Sequence, residues 1–291
     1  HQRTILLPGH SARILVNGHP YPRIMAHMDR HTMVEEFTKY YAVSVPGRYA
    51  DRAQALRRLR PDMIILRYFP ARAHQNDEDN IPLRDTFPGH WLFYPATTLS
   101  TAVNAITTTL HVQGFPRRGH FEPGFYAMIW DGNAITRTLT PQDPAFWANA
   151  EHVYITGVDR ATQTITVTRG YQSAAIPHPA GSHIAVHVPG AGTDYDIWSY
   201  NQSTFCPPDW QGRRFNQVMA DWLAQNLNVS NGVDYGNLFN GILFDTTLYW
   251  LPEGPDVDND DHADGGLVEP GRNAWGEGMS EMFRRLRQNL G

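Results

Sequence analysis

Ala53-Gln54-Ala55-Leu56-Arg57-Arg58-Leu59-Arg60-Pro61-Asp62-Met63-Ile64-Ile65-Leu66 sets a helix, a stop and a buried strand side by side. Ala53, Leu56 and Leu59 recur at helical spacing, and Pro61 ends the helix because its ring removes a donor and crowds the preceding turn. Met63-Ile64-Ile65-Leu66 follows at once; an apolar run without in/out alternation marks a strand covered on both faces. The same reading extends outward. Ile24-Met25-Ala26-His27-Met28 is a strand ending at Asp29, Tyr40 to Val45 a second closed by Pro46-Gly47, Trp91 to Tyr94 a fourth, and Gly241-Ile242-Leu243-Phe244-Asp245 the next. Such strands, separated by helices, predict a parallel sheet. Phe215, Val218, Met219, Trp222, Leu223 and Leu227 then form one apolar helix stripe. Met279, Met282, Phe283, Leu286 and Leu290 form another, with Gly291 suited to its C-cap.

The pattern changes near Thr97. From there to about Val188 the chain is rich in Thr, Gly and Val, and it alternates: Ile165, Val167 and Arg169 face one way, Thr164, Thr166 and Thr168 the other. Gly157-Val158-Asp159-Arg160, Gly170-Tyr171 and the Pro177, Pro179, Gly181 group supply turns. Residues 97–189 therefore read as an antiparallel β module inserted into an α/β domain made of residues 1–96 and 190–291. The parallel strands are too few for a closed (β/α)8 barrel. Either the chain is a fragment or processed form of a larger protein, the favoured reading, or its sheet is open or completed by a partner.

Composition bounds the function. Of 291 residues, 41% are hydrophobic and 18% charged, enough apolar material for a sizeable core. With 24 basic against 29 acidic residues the net charge is −5, which argues against a nucleic-acid partner or an anionic membrane surface, a local basic patch aside. The single cysteine, Cys206, excludes an internal disulfide framework and a multi-cysteine metal site, and it reads as a structural thiol. No apolar run is long enough for a membrane span, and no signal-peptide pattern stands at His1. Lys39 is the only lysine, so arginine carries the remaining positive charge, a bias that a high-GC genome also produces. There is no H-E-x-x-H, no P-loop and no G-x-G-x-x-G after a strand.

Asn240-Gly241-Ile242-Leu243-Phe244-Asp245-Thr246, then Asp256-Val257-Asp258-Asn259-Asp260, then a helix ending Arg284-Arg285-Leu286-Arg287, resembles glycoside hydrolases of the TIM-barrel superfamily. In that family a strand of the form G-I-F-x-D carries an acidic residue at the C-terminal rim. The resemblance implies an incomplete (β/α) TIM-barrel-like fold and a second acidic residue on a later strand. Glu151-His152-Val153-Tyr154-Ile155-Thr156, Val158-Asp159, Thr164 to Tyr171 and Pro177-His178-Pro179-Ala180-Gly181 resemble small β modules of bacteriophage tail and virion-associated proteins. That resemblance implies an accessory or assembly role.

Asp245 is the sharpest single residue, because a carboxylate leaving a buried strand at its C-terminal end stands where active sites of parallel α/β folds gather. It can act as acid, base or nucleophile toward a glycosidic bond, or it can cap the next segment or pair with an arginine. Glycosidases normally need two carboxylates. Asp29, beside His27 and Arg30, is the first choice for the second, with Glu253 and Glu277 as alternatives; Glu122 and Asp131 fall inside the β module. His27, Tyr94, Tyr200 and Trp250 are the candidate substrate-binding residues, taken from a wider set of rim aromatics that includes Tyr68, Trp91, Trp198 and Tyr249.

Asp256, Asp258, Asp260 and Asp264 are candidate metal ligands, since carboxylates at every second residue can wrap a hard cation such as Ca²⁺. The loop departs from the EF-hand pattern: Asp261 stands at the turn glycine, and position 12 is Leu267 instead of Glu. Two functions remain open from sequence. The first is a glycoside hydrolase-like protein acting on or binding a polysaccharide at the strand ends. The second is a non-catalytic structural component of a virion, filament or surface layer that self-assembles through its β module. Both place the protein outside the cell or on a virion or cell surface.

Overall fold

The computed structural model describes residues 24–73, 81, 86–132, 135, 148–190, 197–230, 232–251, 253–268 and 271–291, with the backbone of 4–5, 13–16 and 19–21. The His1 end, where the absence of a leader was read, lies outside them. Strands β1 (Thr4–Ile5), β2 (Arg13–Val16) and β3 (His19–Tyr21) come first, then β4 (Met25–His27), β5 (Ala42–Pro46), helix α1 (Ala50–Leu59) and β6 (Ile64–Pro70). Next come β7 (Thr97–Thr98), β8 (Thr109–His111), β9 (Tyr126–Trp130), β10 (Ala150–Asp159), β11 (Thr164–Thr168) and β12 (His183–Val186). Helix α2 (Phe215–Asn226), β13 (Val229–Ser230), β14 (Val233–Asp234), β15 (Gly241–Asp245) and helix α3 (Ala274–Leu290) complete the order. The described residues divide into two compact units: those up to 71 with 223–246, and those from 72 to 222 with 247–291.

The first unit holds a four-stranded parallel sheet in the order β15-β6-β5-β4. Period-two alternation sends Met28, Val43, Val45 and Ile65 to one face, where they pack with Ala53 and Leu56 of α1 and with Leu238 and Phe239. Leu59 shares the helical spacing yet is 48% exposed, because the apolar stripe of α1 ends one turn earlier. Arg57 explains how the helix is tied down: it donates to the carbonyls of Pro61, Met63 and Leu238 and to Oδ1 of Asn240, which also accepts the Ile65 N–H at 2.9 Å.

This arrangement overturns the TIM-barrel-like fold class. Among the described residues four strands run parallel, and they make a half-barrel sheet. Trp91 to Tyr94, expected as a further parallel strand, lies in the second unit, where Trp91 and Phe93 form isolated antiparallel bridges with Tyr200 and His187. An uninterrupted apolar run signals burial on both sides, and periodicity cannot say whether a parallel sheet or an irregular core segment supplies it.

The second unit is built on a six-stranded sheet ordered β7-β12-β9-β10-β11-β8, every pair antiparallel. Ile165 and Val167 are buried while Thr166 and Thr168 are exposed. Leu110, Ile129, Val153, Ile155, Ile165, Val167, Ile184 and Val186 form the core on one face. The other face is also covered, by an aromatic layer in which Trp198, Tyr126 and Tyr171 pack together with His152 and His187. Residues 97–189 lie wholly in this unit, which reaches further along the chain on both sides. Helix α3 starts at Asn273, whose Oδ1 accepts the Gly276 N–H at 2.9 Å, and it buries Met279, Met282 and Leu286. Gly278 lets that helix approach the backbone of Gln202 so closely that a Cβ would meet the Gln202 carbonyl oxygen at 1.8 Å.

Candidate functional site

In the first unit four side chains gather at the C-terminal edge of the parallel sheet. Register pairs His27 with Ser44, Pro46 with Tyr68, and Pro70 with Asp245, so alternation places His27, Ser44, Tyr68 and Asp245 on one face, opposite α1. The Tyr68 hydroxyl donates to Asp245 Oδ2 at 2.5 Å, and the Thr246 N–H donates to Oδ1 at 2.7 Å. Thr246 has a φ of 54°, the left-handed conformation that turns the chain out of β15 directly after the carboxylate. The ring of His27 meets the ring of Tyr68 edge-on at 4.9 Å, and its Nδ1 lies 2.9 Å from Ser44 Oγ. Burial, and then the positive charge of Arg48, hold His27 below its ordinary pKa, against an upward pull from Asp245 and Asp29. Asp245 is exposed, a fixed carboxylate facing solvent at the strand ends.

Asp29 has a different place. Its Oδ1 accepts the N–H groups of His31 and Thr32, each at 2.7 Å, and its Oδ2 accepts the Thr32 hydroxyl at 2.8 Å. These bonds, the Thr32 N–H foremost, lower its pKa to about 2. The residue holds the turn after β4 and stays ionised, so it is a poor proton donor. The alternatives are engaged as well: Glu253 pairs with Arg118 at 2.8 Å and Glu277 with Arg272 at 3.0 Å, both in the second unit.

The aromatic candidates separate. Tyr200 is fully buried, stacked between Trp91 at 4.8 Å and Phe215 at 4.0 Å, and Trp91 and Trp198 are buried with it. Large apolar area explains that burial better than ligand contact does. Tyr94 is half-buried against His120. Trp250 at 48% exposure and Tyr249 at 72% remain accessible, and both belong to the second unit, whereas His27 and Asp245 belong to the first.

The acidic loop is the second candidate, and here the geometry is convergent. One carboxylate oxygen each from Asp256, Asp258 and Asp260 lies within 4.8 Å of the others, so this group can hold a metal ion. The loop is anchored at its start by the Asp256 N–H, which donates to the Phe93 carbonyl at 2.9 Å, and by Asn201, which donates to the Val257 carbonyl at 2.8 Å. Asp256 then accepts the N–H groups of Asp260 and Asp261. Asn259 and Asp261 have φ of 61° and 69°, so Asp261 takes up the left-handed turn that a glycine makes at the equivalent EF-hand position. Asp264 closes the loop by accepting the Val257 N–H at 3.0 Å, and it is not one of the three convergent residues.

Electrostatics fits a cation there. Burial first, and then the neighbouring carboxylates, push Asp256 up to about 7 and Asp264 up to about 6, and Asp258 rises for the same reasons. Oδ1 of Asp258 is buried and accepts no hydrogen bond among the described residues. A hard cation satisfies both conditions, because it neutralises the repulsion and takes up the free oxygen.

Two clusters escaped the sequence. In the second unit His152 Nδ1 lies 3.1 Å from His187 Nε2, and His187 stacks on Trp198 at 3.9 Å. Glu151 makes a two-pronged pair with Arg169 and accepts the Gly170 and Ile176 N–H groups, while His178 contacts Asp131 at 2.6 Å and Glu151 at 3.4 Å. Burial pulls Glu151 upward, but the Arg169 and His178 bonds outweigh it and leave a pKa of about 2. His152 and Glu151 are adjacent in β10 and therefore face opposite sides of the sheet; the alternation was a usable signal, the cross-strand partners were not. No protein-family model matches the chain, and no curated protein matches it.

Proposed function

We propose that this protein binds a carbohydrate at the C-terminal edge of its four-stranded parallel sheet, with Asp245 as the residue that grips the sugar. One observation carries the reading: an exposed carboxylate at a strand end, oriented by the Tyr68 hydroxyl and flanked by the His27 ring. Carboxylate oxygens accept hydrogen bonds from sugar hydroxyls, and the face of an aromatic ring shelters the C–H face of a sugar. The reading keeps the strand-end acid of the glycosidase resemblance and gives up the barrel. Binding is favoured over hydrolysis because the nearby Asp29 carboxylate is spent on its own turn, and a glycosidase needs a second group free to move a proton.

Calcium is the proposed ion of the 256–264 loop, on the strength of its all-oxygen donors and the flexible coordination such a loop offers. It would brace the second unit and take no part in gripping the sugar. The test is affinity electrophoresis and calorimetry against a panel of soluble polysaccharides. Retardation by at least one of them, lost in Asp245→Asn and weakened in Tyr68→Phe, supports the reading; retardation by none, or by the Asn variant as strongly as by the parent, defeats it.

A further inference from the structure

Beside the Asp245 edge, the first unit carries a cleft of about 530 Å³ between the turn after β4 and the outer face of α1. Its walls include Arg30, His31, Arg52 and Arg58, and its floor is aliphatic, with Met33 at 68% exposure and Leu59 at 48%. Arg52 is fixed by donating to the carbonyls of Asp29 and Thr32. Arg58 donates to Gln54 Oε1 at 3.1 Å, and Arg30 donates from Nε to His31 Nε2 at 3.0 Å. Among the described residues none of these three guanidiniums forms an ion pair, and Glu35 is the one carboxylate on the walls. In a chain of net charge −5, three arginines in one concavity outnumber the carboxylates beside them, Glu35 on the wall and Asp29 in the adjoining turn, and leave a local positive excess. Tyr49 is a neighbour of both places: Arg48 and Arg52 lie 4.9 and 5.8 Å from its ring centre, and the charge of Arg48 reaches His27.

We propose that this cleft receives an acidic sugar residue, so that the glycan bound by the protein is a uronate-bearing polysaccharide. The inference rests on the reading of the Asp245 edge as a glycan site. A planar carboxylate matches the guanidinium fork two-pronged, while the aliphatic floor shelters the C–H face of the ring. The Asp245 side-chain oxygens then accept hydroxyls of a neighbouring sugar.

Calorimetry at low salt with an oligouronate, a neutral oligosaccharide of equal length and a short poly-glutamate peptide tests this. The expected result is an oligouronate affinity about tenfold or more above the neutral glycan, the effect of one charge-assisted pair. Arg30→Gln/Arg58→Gln, changed at exposed positions, abolishes that advantage and leaves neutral binding intact, whereas Asp245→Asn weakens both sugars. Equal affinity for the two glycans, a preference that survives the arginine changes, or peptide binding as tight as the oligouronate overturns the acidic-sugar inference while the Asp245 reading stands. Failure of both sugars to bind removes the Asp245 reading, and the inference with it.

Discussion

His152 and His187 share one hydrogen bond across the buried face of the six-stranded sheet, Nδ1 to Nε2 at 3.1 Å. One ring donates and the other accepts, so the bond exists only while at least one ring is neutral. Burial holds both below the ordinary histidine value, His152 at about 3 and His187 well down. Since the folded-state pKa is depressed, the stability is full above about pH 6.5 and is lost as pH falls from there toward 3. The slope is about 1.4 kcal/mol per pH unit for each ring. Urea unfolding at pH 7.5, 6.0 and 5.0 should show the midpoint dropping steadily, and His152→Gln should flatten the drop. Glu151 joins only below pH 4.5, its loss running down toward 2.

Calcium binding to the 256–264 loop should weaken as pH falls through 7 and then 6. Asp256 and Asp264 take up protons in that range, and an ion must displace them. Titration calorimetry at pH 8.0, 7.0 and 6.0 checks it; an affinity independent of pH would mean the ion sits elsewhere. Asp258→Asn should lower the affinity about tenfold or more while raising the melting temperature of the metal-free protein, because it relieves carboxylate repulsion.

Gly278→Ala should destabilise the chain by about 1–3 kcal/mol, the usual cost of forcing a methyl into filled space. The Cβ would collide with the Gln202 backbone, which cannot rotate aside as a side chain would. Gly276→Ala meets Asn273 Nδ2 and Tyr249 instead, and should also strain the N-cap. A denaturant midpoint for Gly278→Ala equal to the parent's would show that α3 and the Gln202 segment are not held at that spacing.

Arg169→Ala should cost about 3–5 kcal/mol, since it strands the Glu151 carboxylate without its counter-charge in the interior. Replacing both partners with apolar residues of similar volume should recover much of the loss, and a double-mutant cycle on melting temperature reads the difference.

Most of the elements were legible in the sequence, and their assembly was only partly so. The runs at residues 24–28, 40–45, 63–66 and 241–245 hold the four parallel strands, although of these Ala42–Pro46 is the one buried along its whole length, while Ile24 and Met25 are about half exposed and Gly241–Phe244 are half-buried. The helices at 53–59, 215–227 and 279–290 announced themselves by spacing. Trp91 to Tyr94 carried the same signal and formed isolated antiparallel bridges in the second unit, since burial alone does not record who does the burying. At the site, Asp245 could be read from its position at a strand end, and the acidic loop from its alternating aspartates. Tyr68 as the partner of Asp245 depends on cross-strand register between residues far apart in the chain, which no local pattern encodes. Asp29 looked equivalent to Asp245 until the turn it holds, two and three residues on, consumed its oxygens.

The pairing of β6 with β15 has a consequence during synthesis. Everything from Ala71 to Asn240 is translated after one strand and before its neighbour, so the emerging polypeptide carries the bare backbone edge of Ile64–Pro70 through that whole interval. Contacts so distant along the sequence form late and slowly. A nascent chain in that condition invites edge-to-edge association with its siblings on the same polysome, and recombinant yield should respond more to slowed translation or holdase chaperones than to any stabilising change in the finished core.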